Sequence, residues 1–316
     1  MTLKKIPVLL VAFISTLTFA QNKHAKMFGF ISDNDVYISS TQDQYYTNGL
    51  TLQYHFMAKK NTGNWTKKFY TVELGQYIYT PFIAFVPLKK NQDRPFAGYL
   101  FANFSINKFY KNETFFKITY QLGILGPQSQ AEYIQKWFHR TFGLPPIAGW
   151  QYQIQNQLGA NVNAFYLKNI AYTKSKGIDF NAYAQAKVGT IFDEAGVGFI
   201  SRIGFKKLNP IFNSILFNSN ISLQKTNLGI KEFYFFVKPQ ITYIAYNATI
   251  QGSLFNNNSP LTFNSQSVKA SLQLGLKWSI SRFNFGYAIT YLTKAVDNNR
   301  ATAHKYGTIS MLYKFN

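Results

Sequence analysis

The chain has 316 residues, of which 47% are hydrophobic, 18% aromatic and only 14% charged, with 33 basic and 12 acidic side chains. In ordinary soluble domains about a quarter of all residues are charged, so this composition is unusual for a soluble protein. The chain is also too apolar to be a disordered polycation. Cysteine is absent, which excludes a disulfide framework, a thiol enzyme and a cysteine-bound zinc site.

The first twenty residues have the layout of a secretory signal peptide. Lys4 and Lys5 precede an apolar stretch at 6–19, and the small residues Thr18 and Ala20 lie near its end. The stretch is too short to span a bilayer comfortably. We therefore predict a signal peptide at residues 1–20; the alternative is an uncleaved membrane anchor.

After residue 20, apolar and polar residues alternate with the period of a β-strand. For example, Leu50, Leu52 and Tyr54 alternate with Thr51 and Gln53. Similar segments recur near 26–37, 48–58, 68–78, 98–107, 114–125, 151–167, 178–191, 196–207, 211–224, 231–247, 267–279, 282–293 and 305–316. Segments of about ten residues with an apolar face and aromatic ends are typical of outer-membrane barrels, which have an even number of strands.

These segments predict an all-β fold, a transmembrane antiparallel β-barrel of 12 strands formed by residues 21–316. Thirteen segments show the pattern, so 305–316 is either a thirteenth strand or, if two doubtful segments form one strand, the twelfth. A soluble β-sandwich is the alternative, and it would need shorter strands and a more charged exterior. The predicted location is the outer membrane of a Gram-negative bacterium.

Residues 128–143 interrupt the β pattern and predict one short helix in an external loop. Pro127 precedes this segment, and Gly143 and Pro145 end it, as is typical of helix boundaries. One stripe of the helix is apolar, and a second stripe contains Gln128, Glu132, Gln135 and His139. The plainest interpretation is an amphipathic helix lying on the membrane or on the barrel rim.

Strand parity places this helix at one rim together with other unusual sequences. If the N-terminus is periplasmic, the connections after odd-numbered strands are external, and they are the longer ones. The same rim then gathers Asp33-Asn34-Asp35, Tyr46-Thr47-Asn48-Gly49 and Asp93-Arg94-Pro95-Phe96-Ala97-Gly98. Carboxylates near a histidine could hold a hard cation and a general base.

Taken together, these motifs resemble the lipid A 3′-O-deacylase family of outer-membrane proteins. The resemblance covers residues 28–165 and rests, in order, on Asn34-Asp35, Tyr46-Thr47-Asn48-Gly49, Asp93-Arg94-Pro95-Phe96-Ala97-Gly98, Leu125-Gly126-Pro127 with Gln135 and His139, and Gly149-Trp150-Gln151. It implies a twelve-stranded barrel with an active site between its outer wall and a loop helix. It also implies calcium-assisted hydrolysis of a fatty acyl ester on lipid A, with the functional residues Asn34, Asp35, Thr47, Gln135 and His139.

These residue types suit ester hydrolysis. His139 can act as the base for water, and Asp35 can bind calcium, which would polarise the ester. Asn34 and Thr47 can orient water, metal or substrate by hydrogen bonds. The partners expected are lipid A or lipopolysaccharide of the outer leaflet and membrane lipids, and no nucleic acid. Basic residues of the same loops could meet lipid A phosphates: Lys89, Lys90, Arg94, Lys136 and Arg140.

Two features depart from the family pattern. The resemblance implies an acidic residue just after the helix, where Leu144, Pro145 and Pro146 stand. In addition, strict alternation would place Asn34 and Asp35 on opposite faces of a strand, so they can share a site only if the strand ends or bulges there. Two alternatives therefore stay open: a non-catalytic barrel (a pore or a structural protein), and an outer-membrane phospholipase with a serine–histidine pair.

Overall fold

The computed structural model describes residues 24–38, 44–59, 63–224, 231–297 and 300–316, so the predicted signal peptide lies outside the described residues. Twelve antiparallel strands form a closed barrel in which β1 pairs with β12 and every other pair is consecutive in sequence. The strands are β1 (Lys26–Asn34), β2 (Tyr45–Met57), β3 (Lys67–Thr80), β4 (Ala97–Phe109), β5 (Thr114–Leu125), β6 (Gln157–Tyr172), β7 (Ile178–Gly189), β8 (Phe192–Gly204), β9 (Phe233–Asn247), β10 (Val268–Ile280), β11 (Phe283–Thr293) and β12 (Ala303–Phe315). The twelve-stranded barrel predicted from the sequence is confirmed.

Alternate residues of each strand meet different surroundings. On β2, Leu50 and Leu52 are exposed on the outer wall, whereas Gln53 and His55 are buried inside the barrel. An apolar outer band suits contact with lipid, and closure of the barrel pairs the backbone hydrogen-bonding groups of every strand. In the described part of the chain, no helix is long and apolar enough to cross a membrane.

The two ends of the barrel differ in their connections. We call the end that carries Lys26 and Phe315 the terminal end, and the opposite end the loop end. Connections at the loop end, such as 81–96 and 126–156, are long, whereas a terminal-end turn such as 110–113 is short. The longest loop-end connections contain the described α-helices, α1 (Ala131–Phe142) and α2 (Ala248–Gln251).

One terminal-end connection differs from the prediction. The segment 211–224, predicted as a strand, instead forms two 3-10 turns, Ile211–Asn213 and Ile215–Phe217. Ile211, Ile215 and Ile221 are buried in the main core inside the barrel. The strand prediction was wrong because these apolar side chains are covered by that core rather than by lipid. Removing this segment from the thirteen leaves the observed twelve strands.

Polar contacts hold this connection across the interior of the barrel. We call residues 205–224 the plug. On β3, Lys67 Nζ donates to Asn213 Oδ1 at 2.6 Å and to the Ser219 carbonyl at 2.7 Å. On β10, Lys277 Nζ donates to the Leu216 carbonyl at 3.0 Å. The plug therefore reaches strands on different sides of the barrel, which favours a filled interior over an open pore.

A buried charge cluster ties the plug to the barrel wall. Arg202 donates to Asp179 Oδ2 from Nε at 2.8 Å and from Nη2 at 2.6 Å. Its Nη1 donates to Ser214 Oγ at 2.7 Å and to Glu232 Oε1 at 3.3 Å. We call these four residues the Arg202 cluster. Because burial of an unpaired charge is very unfavourable, these mutual contacts allow the charges to lie inside the barrel.

Candidate active site between the barrel wall and helix α1

Asn34 and Asp35 lie where β1 ends. Asn34 is the last residue of the strand, and Asp35 begins a 3-10 turn, Asp35–Ile38, so the alternation of the strand stops between them. Asn34 Oδ1 accepts a hydrogen bond from the Val36 N–H at 2.8 Å and so stabilises the turn. Asn34 and Asp35 can share a site only if the strand ends or bulges between them, and the strand does end there.

Thr47 contacts Asp35 from a bulge in β2. The pairing of β2 with β3 shifts in register between Tyr46 and Asn48, and Thr47 is the extra residue. Thr47 Oγ1 donates to Asp35 Oδ2 at 3.1 Å, and the N–H of Gln44 donates to the same oxygen at 3.1 Å. Asp35 is therefore a buried carboxylate that accepts hydrogen bonds from two neutral donors.

Helix α1 carries Gln135 and His139 one turn apart, facing the barrel wall. Gln135 is 4% exposed and His139 is 8% exposed, whereas Trp137 is 47% exposed and Phe142 is 63% exposed. The helix thus packs its polar stripe against the protein and exposes its apolar stripe, the reverse of a helix at a water-facing surface. This orientation suits a helix that lies beside the lipid-facing wall.

The approach of α1 to the wall depends on Gly98 of β4. A Cβ atom at this position would lie 2.2 Å from Ala131 Cβ and 2.3 Å from Ser129 Oγ. Gln76 Nε2 of β3 donates to the Ser129 carbonyl at 2.6 Å. The helix predicted at 128–143 begins only at Ala131, because residues 127–129 form a 3-10 turn that makes these wall contacts.

A backbone carbonyl orients the ring of His139. His139 Nδ1 lies 2.7 Å from the Pro145 carbonyl oxygen. Because a carbonyl can only accept, Nδ1 carries the proton of the neutral ring, and Nε2 carries the lone pair that a base requires. Pro145 stands where the resemblance implied an acidic residue, and its carbonyl supplies an acceptor without a carboxylate.

Trp150 orients Gln135. Trp150 Nε1 donates to Gln135 Oε1 at 3.0 Å. The amide oxygen of Gln135, rather than its nitrogen, therefore faces Trp150. The Trp150 side chain is buried and packs against Phe96, with ring centroids 4.9 Å apart. Phe96 and Trp150 belong to motifs that carry the resemblance, and here they support a side chain of the candidate site.

The predicted site residues meet at one cavity, which we call the α1 cavity. It has a volume of about 430 Å³, and Asn34, Thr47, Gln135 and His139 line it. Asp35 joins this group through its hydrogen bond from Thr47. The cavity lies on the outer wall, and its apolar lining comes from both the wall and the helix: Phe30, Leu50, Leu52, Leu74, Leu100, Ile134, Trp137 and Phe138. It therefore combines polar groups with a surface that can hold an acyl chain.

Asp93 and Arg94 lie away from this cavity. Asp93 Oδ2 accepts a hydrogen bond from the Tyr45 hydroxyl at 2.8 Å. Arg94 Nη2 donates to Thr249 Oγ1 of α2 at 2.8 Å, and its guanidinium stacks 4.4 Å from the centre of the Tyr79 ring. Burial lowers the pKa of Arg94 to about 10, so it stays charged at neutral pH. These residues join the loops, and Arg94 is too deeply buried to meet a lipid phosphate.

The exposed basic residues of the loop end are placed differently. Lys89, Lys90, Lys136 and Arg140 are all exposed. Lys136 also forms an ion pair with Glu132 along the exposed side of α1. Glu132 therefore belongs to the helix surface, although sequence periodicity grouped it with Gln135 and His139.

A family model described as "Outer membrane protein LpxR" matches residues 7–315. The chain belongs to the LpxR family. This result confirms the resemblance to the lipid A 3′-O-deacylases and the predicted location in the outer membrane. A comparison with curated protein sequences gives no match.

Among solved structures, the LpxR-family chain is similar to LpxR from Salmonella typhimurium, with a TM-score of 0.75 and 18% identity over 92% of this chain and 100% of that chain. It also matches the beta domain of the Bordetella autotransporter BrkA, with a TM-score of 0.47 and 7% identity over 93% of this chain and 99% of that chain. The similarity to the Salmonella protein shows a shared barrel fold.

Proposed function

We propose that the protein is an outer-membrane hydrolase that removes an ester-linked 3′-acyloxyacyl chain from lipid A. The observation that carries this proposal is the α1 cavity, where Asn34, Thr47, Gln135 and His139 lie beside an apolar surface on the outer wall. Lipid A offers a matching pair of features, a polar sugar ester and a long acyl chain. Membership of the LpxR family supports lipid A as the substrate.

His139 acts as the general base in this proposal. Its Nε2 takes a proton from water, and the water oxygen attacks the ester carbonyl carbon. The bond between that carbon and the sugar oxygen then breaks, and the proton passes from His139 to the sugar oxygen. The products are a free hydroxyl on the sugar and a carboxylic acid. The Pro145 carbonyl accepts from Nδ1 and so keeps the proton of the neutral ring on that nitrogen.

The neighbouring polar side chains position the reactants. Asn34 and Thr47 line the wall side of the cavity, and Gln135 lines the helix side. Fixed donors aimed at the developing oxyanion lower the barrier because they need no reorganisation during the reaction. We assign this orienting role to the Asn34 and Gln135 amides, whereas the Thr47 hydroxyl donates to Asp35 and positions that carboxylate.

Calcium is the proposed cofactor because Asp35 and its neighbours offer hard oxygen donors. The Asp35 carboxylate, with oxygens of Asn34 and Thr47, suits calcium in donor type. Within the described ranges, no group of three or more His, Cys, Asp or Glu side chains could hold a metal. Asp35 would supply the carboxylate of this donor set. Bound calcium would polarise the ester carbonyl.

The test measures ester release from purified lipid A and from a glycerophospholipid, each with calcium and with excess EDTA. We expect release from lipid A only, its loss in EDTA and its recovery in millimolar calcium. Release from the phospholipid alone would instead support the phospholipase alternative. Release from neither substrate would support the non-catalytic barrel, and full activity in EDTA would remove calcium from the proposal.

A further inference from the structure

We propose that a groove at the terminal end of the barrel binds one anionic glycerophospholipid of the leaflet opposite the α1 cavity. The groove has a volume of about 590 Å³ and lies between the start of the plug, the start of β9 and the end of β10. Among the described residues, its lining is separate from that of the α1 cavity. The choice of lipid class rests on the proposed function, which places lipid A in the leaflet at the loop end, whereas the groove itself is described without it.

The wall of this terminal groove is apolar and faces outward. Phe233 of β9 pairs in register with Trp278 of β10, and both line the groove. Phe205 stacks on Phe233, with ring centroids 5.7 Å apart, and is 77% exposed. Ile280 continues the same exposed wall. Aromatic residues at the end of an outward strand face are typical of the membrane interface, where this wall would contact an acyl chain.

The mouth of the terminal groove is basic. Lys206 and Lys207 follow directly on Phe205, and Lys231 lies two residues before Phe233. All three lysines are exposed. An apolar wall that ends in three ammonium groups is complementary to a molecule with an acyl chain and a negatively charged head group.

The carboxylate of the terminal groove does not neutralise these lysines. Glu232 lines the groove, but it is buried and turned toward the Arg202 cluster. It accepts hydrogen bonds from Ser214 Oγ at 2.9 Å and from the Ile215 N–H at 2.8 Å, and it contacts Arg202 Nη1 at 3.3 Å. Its charge is therefore compensated from the interior, and the three lysines remain available to an anionic head group.

The position of the groove selects the class of lipid. It lies at the terminal end, whereas α1 and its cavity lie at the loop end. A lipid A molecule held in the α1 cavity would occupy the leaflet at the loop end. The terminal groove faces the other leaflet, so the ligand is a glycerophospholipid with a negatively charged head group.

The test uses the purified full-length protein in detergent micelles that contain phosphatidylcholine, with and without phosphatidylglycerol. Native mass spectrometry measures the number of phosphatidylglycerol molecules retained per barrel and their affinity. The test variant combines Lys206→Gln, Lys207→Gln and Lys231→Gln. The control removes the same charge at the same end by Lys59→Gln, Lys111→Gln and Lys174→Gln, at exposed positions that do not line the groove. Heat-modifiable gel mobility checks that each variant is a folded barrel.

We expect the natural sequence to retain one phosphatidylglycerol in preference to phosphatidylcholine. A surface lysine changes the affinity for anionic lipid by roughly fivefold, so the groove variant should bind about a hundredfold more weakly, and the control should keep most of the affinity. Equal losses in the two variants would show a diffuse basic rim and overturn the proposal. Equal retention of phosphatidylcholine and phosphatidylglycerol by the natural sequence would also overturn it.

Discussion

The α1 cavity and the Arg202 cluster both bury polar side chains, but the hydrogen-bond partners described for those side chains are of different kinds. In the Arg202 cluster, the guanidinium contacts Asp179 at 2.6 Å and Glu232 at 3.3 Å, so opposite charges meet directly. At the α1 cavity, Asp35 accepts hydrogen bonds from the Thr47 hydroxyl and a backbone N–H, and His139 bonds to a carbonyl. The first set lies inside the barrel, and the second lies on its outer wall.

This difference separates a structural role from a chemical one. Direct pairing in the Arg202 cluster uses the charges to hold the plug and the strands together. The Thr47 hydroxyl and the Gln44 N–H fix the position of Asp35 beside the cavity, where we propose that its carboxylate binds a cation. The carbonyl at His139 likewise fixes the ring but leaves the lone pair on Nε2. We expect substitutions in the two regions to separate stability from catalysis.

The largest effect on catalysis is expected for His139→Asn. Loss of a positioned base lowers the rate by about 10²–10⁴-fold, while Asn keeps polarity and similar bulk. The measurement is ester release from lipid A, with heat-modifiable gel mobility as the check of folding. Tyr133→Leu, at a 66% exposed position on the same helix, is the control and should keep full activity. Near-full activity of folded His139→Asn would reduce His139 to a packing residue.

The largest effect on stability is expected for Arg202→Met. The substitution leaves Asp179 and Glu232 buried without their cation, which costs about 3–5 kcal/mol of the free energy of unfolding. Urea unfolding of the protein in lipid vesicles measures this change. The control, Lys111→Met at an exposed turn, should alter stability by less than about 0.5 kcal/mol. An unchanged unfolding midpoint for Arg202→Met would contradict the structural role of the cluster.

Gly98→Ala should damage the α1 cavity without unfolding the barrel. The new Cβ would overlap Ala131 Cβ at 2.2 Å, so α1 must move away from the wall. A displacement of about 1 Å can lower a rate by about a hundredfold, and we expect a loss of about tenfold to a hundredfold in ester release. Adding Ala131→Gly should restore part of the activity. If Gly98→Ala alone is fully active, the position of α1 does not control the reaction.

Asp35→Asn should weaken the response to calcium. Asn keeps the shape of Asp35 but removes its charge, so the calcium concentration for half-maximal activity should rise by at least about tenfold. Asp33→Asn is the matched control, because Asp33 binds the Tyr46 and Thr308 hydroxyls, each at 2.7 Å, away from the cavity. A calcium titration of ester release compares the two. Equal shifts in both variants would remove Asp35 from the calcium site.

The smallest effect is expected for Trp150→Phe. The substitution keeps an aromatic ring against Phe96 but removes the N–H that donates to Gln135 Oε1. A lost hydrogen bond of about 0.5–1.5 kcal/mol corresponds to a fall in kcat/KM of roughly twofold to tenfold. Trp65→Phe, in the terminal-end connection before β3, serves as the control. An unchanged kcat/KM for Trp150→Phe would show that Gln135 needs no support from Trp150.

The fold was largely predictable because lipid contact imposes a regular apolar face on each strand. Residues such as Leu50 and Leu52 repeat with that period, and the structure places them on the outer wall. The same rule failed at the plug. Ile211 and Ile215 look like strand residues, but their apolar surface is covered inside the barrel. The alternation of apolar and polar residues shows which side chains avoid water, but it does not show whether lipid or protein covers them.

The candidate site was predictable as a set of residues but not as an arrangement. Periodicity placed Gln135 and His139 on one helix stripe, yet it could not show that this polar stripe faces the wall while Trp137 faces outward. The acceptor for His139 is a backbone carbonyl, which every residue possesses, so Pro145 carried no signal in the sequence. The support of Gln135 by Trp150 depends on a contact between distant segments.

One measurement tests the central claim most directly: the rate of 3′-acyl release from lipid A per folded barrel, by mass spectrometry, for the natural sequence, His139→Asn and Arg202→Met. If the α1 cavity performs the reaction and the Arg202 cluster only stabilises the barrel, folded Arg202→Met keeps a rate close to that of the natural sequence. Folded His139→Asn then falls by at least about a hundredfold. The reverse result, an active His139→Asn and an inactive folded Arg202→Met, would contradict the account.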